Sequence, residues 1–192
     1  MMIQMPGQDD IYLIKQILAG DSQGYAELLD RYQTRVYNFV LYMLRSKEEA
    51  EEVVQDTFVN AFKSLRNFRQ EAKFSTWLLR IAYNNSLTRL RKKRLTLVDI
   101  DSNDSFSQIE KINNISDQSD QQDIQVLLSI ALNALSEDEK AVVSLFYYNE
   151  LSIQEICDIT GKKSSNVKII LHRSRQKMLE KLNVLGIKEW AS

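Results

Sequence analysis

Three groups of side chains in this sequence have types and spacings suited to binding chemistry. The first is Lys168, His172, Arg173 and Arg175, which fall within two turns of one helical stretch. Lys168 and His172 are at i, i+4 and share a face, and Lys and Arg side chains reach phosphates or guanine edges. The second is residues 67–77, where Phe68, Phe74 and Trp77 interleave with Arg69 and Lys73. Aromatic faces stack unpaired bases while cations hold the phosphates. A plainer reading, three aromatic core residues under a loop, stays open, above all for Trp77. The third is a polar face with Glu48, Glu51, Glu52, Gln55 and Asp56, which suits either solvent or a basic partner.

No bond-making constellation accompanies them. One histidine and one cysteine, Cys157, cannot build a Cys/His zinc site and do not favour a Ser-His-Asp triad. Cys157 lies near Ile153 and Ile156 and reads as core. A nuclease would need a cluster of carboxylates around a metal, whereas the carboxylates here lie on helix faces or in one acidic stretch. No cofactor, metal site or catalytic residue is expected. A single thiol suits a reducing cytoplasm. The start, MMIQMPGQDD, lacks the basic and apolar segments of a secretory signal, and no apolar run is long enough for membrane insertion.

The elements that must position these groups are helices. The 192 residues include five glycines and one proline, too few for the frequent turns of a β-sandwich or barrel. Asp21 or Ser22 can cap a helix carrying Tyr25, Leu28, Leu29, Tyr32, Val36, Phe39, Val40 and Met43 on one stripe. Ser46 and Glu49 have capping-box spacing, and the helix they open turns Val53, Val54, Phe58, Ala61, Phe62 and Leu65 inward. Ser75 can cap a third helix with Trp77, Leu78, Ile81, Ala82 and Leu87 apolar. Further on, Ser136 with Glu139 and Ser152 with Glu155 are two more capping boxes, and helices are expected near 124–134, 137–148, 153–160 and 164–183. Gly161 suits a left-handed cap between the last two. A short helix, a glycine turn and a basic helix make a helix-turn-helix.

Charge divides the chain. Residues 66–94 hold nine Lys/Arg against Glu71, a local +8. Residues 95–123 hold seven Asp/Glu against Lys111, a local −6, and few large apolar side chains. Residues 162–181 hold seven Lys/Arg against Glu180, a local +6. The fold class expected is all-α: a domain over 1–94, a flexible acidic linker over 95–122, and a domain over 123–192. Fully extended, the 29 residues 95–123 reach about 100 Å.

The run EEAEEVVQDTFVNAFKSLRNFRQEAKFSTWLLRIAYNNSLTRLRKKR resembles region 2 of bacterial extracytoplasmic-function (ECF) sigma factors. LSEDEKAVVSLFYYNELSIQEICDITGKKSSNVKIILHRSRQKMLEKL resembles their region 4. The resemblance implies a subunit that binds core RNA polymerase, recognises a promoter at its −10 and −35 elements, and assists melting. It places Glu52, Gln55, Asp56 and Phe58 on the polymerase clamp. It places Phe68, Arg69, Lys73, Phe74, Arg80, Asn84, Arg89, Lys92 and Lys93 at the −10 element, where a base is flipped into a pocket. It places Lys168, Ile169, His172, Arg173 and Arg175 at the −35 element. It also implies promoter DNA, duplex and melted, as partner, allows an anti-sigma protein or another recruiting factor, and sends the acidic linker through the polymerase channel. One departure is Ile169-Ile170 where polar or basic residues are common, which implies weaker or altered −35 readout. The alternative is a dimeric helix-turn-helix regulator that binds duplex DNA without polymerase.

Overall fold

The computed structural model describes residues 8–21, 23–99 and 131–184. The acidic stretch beyond Asp99, and most of the helix expected near 124–134, lie outside the described residues. The described segments are helical, with no strand among them. They comprise α1 (Gln8–Leu18), α2 (Gln23–Leu44), α3 (Lys47–Ser64), a 3-10 turn (Leu65–Asn67), α4 (Phe74–Asp99), α5 (Glu137–Val143) continuing into a π turn (Ser144–Tyr148), α6 (Ile153–Thr160) and α7 (Ser164–Val184).

The N-terminal half is built on apolar stripes of helical period. α2 buries Leu28, Val36, Phe39, Val40 and Met43, and α4 buries Leu78, Leu79, Ala82 and Tyr83 against them. α1 was not expected. It buries Leu13, Ile14 and Ile17, and its Asp10 accepts from Arg31 Nη1 at 2.6 Å and from the Tyr32 hydroxyl. A buried carboxylate needs such partners, so this contact pins α1 to α2. A polar thread joins α3 to α4: Asn85 Nδ2 donates to Thr57 Oγ1 at 3.2 Å, and Thr57 Oγ1 donates to Val53 O.

Several local expectations need correction. Asp21 does accept from the Gln23 N–H at 3.0 Å. Ser46 caps α3 by accepting from the Glu49 N–H at 3.2 Å, but the reciprocal half of the box is missing. The Glu49 carboxylate is instead held by Arg89 and Lys93 of α4, at 3.3 and 3.1 Å. α4 begins at Phe74, so Ser75 lies inside its first turn and is buried.

In the C-terminal half the caps form as read. Ser136 and Ser152 each complete a capping box with Glu139 and Glu155. Gly161, at φ 70°, closes α6 by donating its N–H to Cys157 O. Only glycine takes that left-handed conformation without strain. The π turn after α5, closed by the Asn149 N–H on Ser144 O at 3.1 Å, rotates Tyr147, Tyr148 and Asn149 out of the α5 register.

Glu139 yields a stability prediction. Its carboxylate accepts from the Ser136 N–H at 2.8 Å and from Lys177 Nζ at 2.8 and 2.9 Å. Burial pushes this carboxyl up, but the bonds from Lys177 and Ser136 outweigh it and hold it below its ordinary value. A carboxyl depressed in the folded state stabilises above its unfolded pKa of about 4.3 and loses that contribution as pH falls through the folded value. Glu139→Gln is expected to cost about 1 kcal/mol at pH 7, since Lys177 is half exposed and screened. Urea unfolding at pH 7 and below pH 4 should show the difference from wild type shrinking in acid.

The two halves pack together. One hydrophobic cluster runs from Leu13 to Leu171, including Leu145, Leu151 and Ile156 beside the α2 and α4 residues. Across the seam, Arg35 donates to Asn149 Oδ1 at 3.1 Å and to Asn149 O at 2.6 Å. Arg94 pairs with Glu137 at 2.8 Å, and Tyr42 stacks on Tyr148 with centroids 4.3 Å apart.

Candidate nucleic-acid interface

The loop between α3 and α4 is held by an aromatic cluster. Phe68, Phe74 and Trp77 meet pairwise with centroids 5.4–5.7 Å apart. Phe74 is buried and supports the loop from below. Phe68 and Trp77 are half-buried. Gln70 takes φ 60°, a strained conformation of the kind concentrated at binding sites. Beside the cluster lies a cavity of about 240 Å³, lined among others by Phe68, Arg69, Thr76, Trp77, Arg80 and Asp158. The Thr76 hydroxyl is shielded and has no hydrogen-bond partner among the described residues. Stacking faces and two guanidinium groups together can hold a planar polar ring attached to a phosphate.

Other expected contacts fall differently. Arg80 and Asn84 are exposed and one turn apart on α4, but Asn84 lies outside the cavity lining. Lys92 is exposed. Arg89 and Lys93 are engaged by α3: Arg89 pairs with Glu49 and with Glu52, the latter at 2.7 Å, and Lys93 with Glu49. Lys73 pairs with Glu155 of α6 at 3.0 Å. Thr76 and Asp158 had not been expected. Thr76 carried no sequence signal beyond its place in the loop's following helix, and Asp158 comes from the distant α6.

The α7 surface is simpler. Val167, Leu171 and Ser174 face the core, while Lys168, Ile169, His172, Arg173 and Arg175 are exposed. Ile170 packs partly against the core, which accounts for its apolar type. Arg175 lies over the Tyr147 ring, 5.6 Å from its centroid, and donates to its hydroxyl.

On α3, Glu52, Gln55 and Asp56 are exposed. Phe58 is buried and forms part of the floor of an apolar groove of about 810 Å³ with Tyr25, Leu29, Val54, Val59 and Phe62. Phe62, expected inward, is 48% exposed, as is Val59. α2 does not cover this side of α3. Tyr25 bridges the gap edge-on to Phe62, at 4.8 Å.

Comparison with known proteins matches both halves. The sigma-70 region 2 family matches residues 28–96 and the sigma-70 region 4 family residues 126–178. The ECF RNA polymerase sigma factor SigW of Bacillus subtilis is 30% identical over 179 residues, covering 90% of this chain and 96% of the relative. The chain belongs to the ECF sigma factors. The ECF sigma-E factor of Haemophilus influenzae is 26% identical over 183 residues, covering 92% of this sigma factor and 96% of the relative. Two solved structures share the fold. RpoE bound to the anti-sigma factor NepR from Bartonella quintana has a TM-score of 0.68 at 23% identity, over 83% of this chain and 97% of that one. CnrH with the cytosolic domain of CnrY has a TM-score of 0.66 at 22% identity, over 92% and 98%. Membership makes this a sigma factor that binds core RNA polymerase and promoter DNA and directs transcription initiation. The regulator acting without polymerase is set aside. Among the described residues no helix is long and apolar enough to cross a membrane, and no His/Cys/Asp/Glu group could hold a metal.

Proposed function

We propose that the aromatic cavity between α3 and α4 receives an unstacked base of the −10 element, that α7 reads the −35 element, and that the groove and acidic face of α2 and α3 dock on core polymerase. The observation that carries the reading is the cavity itself: two half-buried rings, Arg69 and Arg80 at one place. Flipping a base costs a few kcal/mol of stacking, and the rings and cations offset it. The chain supplies binding energy and no bond chemistry, and acts where core polymerase is, in the cytoplasm.

Within region 2, Phe68, Arg69 and Arg80 are the direct contacts, Phe74 is their support, and Asn84 and Lys92 extend the cationic and polar track along α4. Arg89 and Lys93 serve chiefly to join α4 to α3. In region 4, Lys168, His172 and Arg173 carry −35 binding. Ile169, 49% exposed, offers an apolar contact suited to a thymine methyl, so readout there is narrower than a polar residue would give. An anti-sigma protein, of the kind bound to the RpoE relative, would control the chain by covering the same surfaces.

The test is promoter-dependent transcription by core polymerase on genomic fragments, with and without the chain. New start sites sharing a −10 element are expected, and unchanged start sites would refute the assignment. Lys168→Ala is expected to weaken binding to −35 duplexes and to lower the salt slope by about 1. A constant slope in a fluorescence titration would remove Lys168 from the phosphate contacts.

A further inference from the structure

The connection between α2 and α3 carries an arginine where the backbone favours glycine. Arg45 has φ 61°, in the left-handed region that strains a residue with a side chain. Its guanidinium is drawn inward, and its Nε and Nη2 are shielded and meet no acceptor among the described residues. Buried charged donors are ordinarily paired, and these are not.

The surroundings are those of an anion site. Arg45 lines a cavity of about 330 Å³ with Asn38, Leu41, Tyr42 and Lys47, and no lining residue is acidic. That volume falls within the range of small-molecule sites, roughly 300–1,000 Å³. Lys140 of α5 lies outside the lining but near Arg45: burial and then the Arg45 charge push its ammonium below its ordinary value, against the opposing pull of Glu137. Tyr148 closes the same side by stacking on Tyr42. The neighbouring carboxylates are engaged elsewhere. Glu137 is paired with Arg94 at 2.8 Å, and Glu48 accepts from the Ser46 hydroxyl at 2.8 Å. Two cations, Arg45 and Lys47, thus line a cavity whose wall holds no acidic residue.

We propose that this cavity binds a phosphate group, either inorganic phosphate or the phosphate of a small metabolite, with the Arg45 guanidinium and the Lys47 ammonium as its donors. A guanidinium presents two parallel N–H donors to a phosphate, and the Lys47 ammonium meets the second negative charge.

The test is calorimetric titration of the full chain with inorganic phosphate, at ionic strength matched with chloride, repeated with pyrophosphate and with a nucleoside triphosphate. One site per chain is expected. The three titrations separate free phosphate from phosphate esters by which binds tightest. Arg45→Gly relieves the left-handed strain and keeps the fold, so it should melt no lower than wild type without phosphate, yet bind phosphate at least about 30-fold more weakly. Lys47→Gln should weaken binding by a smaller factor. Equal affinity in wild type and Arg45→Gly, or no heat beyond chloride, would overturn the proposal. So would displacement of phosphate by a short DNA duplex whose own binding is lost in Arg45→Gly, which would make Arg45 a DNA-backbone contact.

Discussion

Phe62→Glu is expected to abolish stable association with core polymerase while leaving the fold in place. Phe62 is half exposed and belongs to the wall of the apolar groove beside the acidic α3 face. Aromatic side chains in such grooves are frequent hot spots, worth about 2 kcal/mol or more on truncation, or about 30-fold in affinity. A carboxylate in their place adds the cost of its own desolvation, so the loss should exceed that figure. The fold loses only the edge contact with Tyr25, about 1 kcal/mol. Gel filtration of the variant with core polymerase should show separate elution, and circular dichroism should show an unchanged helical spectrum. Asp56→Arg is the informative comparison. It alters a rim charge on an exposed face, so it should lower the association rate and its salt dependence more than it raises dissociation. Retained tight binding by Phe62→Glu would place the polymerase on another surface.

The contrast between these two residues also explains what the sequence could tell. Helical period identifies which side chains lie on one stripe, and it correctly grouped Phe58, Ala61 and Phe62 on α3. It does not reveal where a neighbouring helix stops covering that stripe, so Phe62 reads as core although it borders an open groove. Caps are legible because their chemistry is local: Ser136 with Glu139, Ser152 with Glu155, and Gly161 all form as spaced. The Ser46 box fails on its Glu49 side because Arg89 and Lys93, forty or more residues away, compete for the carboxylate. α1 has apolar residues at helical spacing, Ile11, Ile14 and Ile17, but its docking depends on Asp10 meeting Arg31 and Tyr32. Region 2 and region 4 motifs located the aromatic loop and the basic helix. They gave no hint that α6 would sit beside the loop, since that proximity is set by packing across the acidic stretch.

That packing makes Asp158 the residue whose reversal should most increase DNA binding by the isolated chain. Asp158 lines the aromatic cavity from α6, and Glu155, one turn earlier, holds Lys73 at 3.0 Å. On the proposed reading of this cavity as a base site, two carboxylates of region 4 stand where a DNA phosphate would approach. The α7 face remains exposed in the same arrangement, so the block falls on the −10 side alone. Glu155 is a poor target because it completes the α6 capping box. Asp158 is a better one: it lies near the C-terminal end of α6, where a negative charge opposes the helix dipole and a cation suits it. Two unit charges ~5 Å apart in water interact by about 0.8 kcal/mol. Asp158→Lys changes that interaction by roughly twice as much, and with screening this amounts to about tenfold. The affinity of the free chain for a single-stranded −10 oligonucleotide should rise by that factor, and the salt slope should steepen by about 0.7, one more phosphate contact on a single strand. The proposed reading has the two regions part on core polymerase to reach both promoter elements, so there the same substitution should change promoter affinity far less. An equal gain in both settings would mean that the introduced lysine acts as an ordinary added cation and that α6 does not shield the cavity.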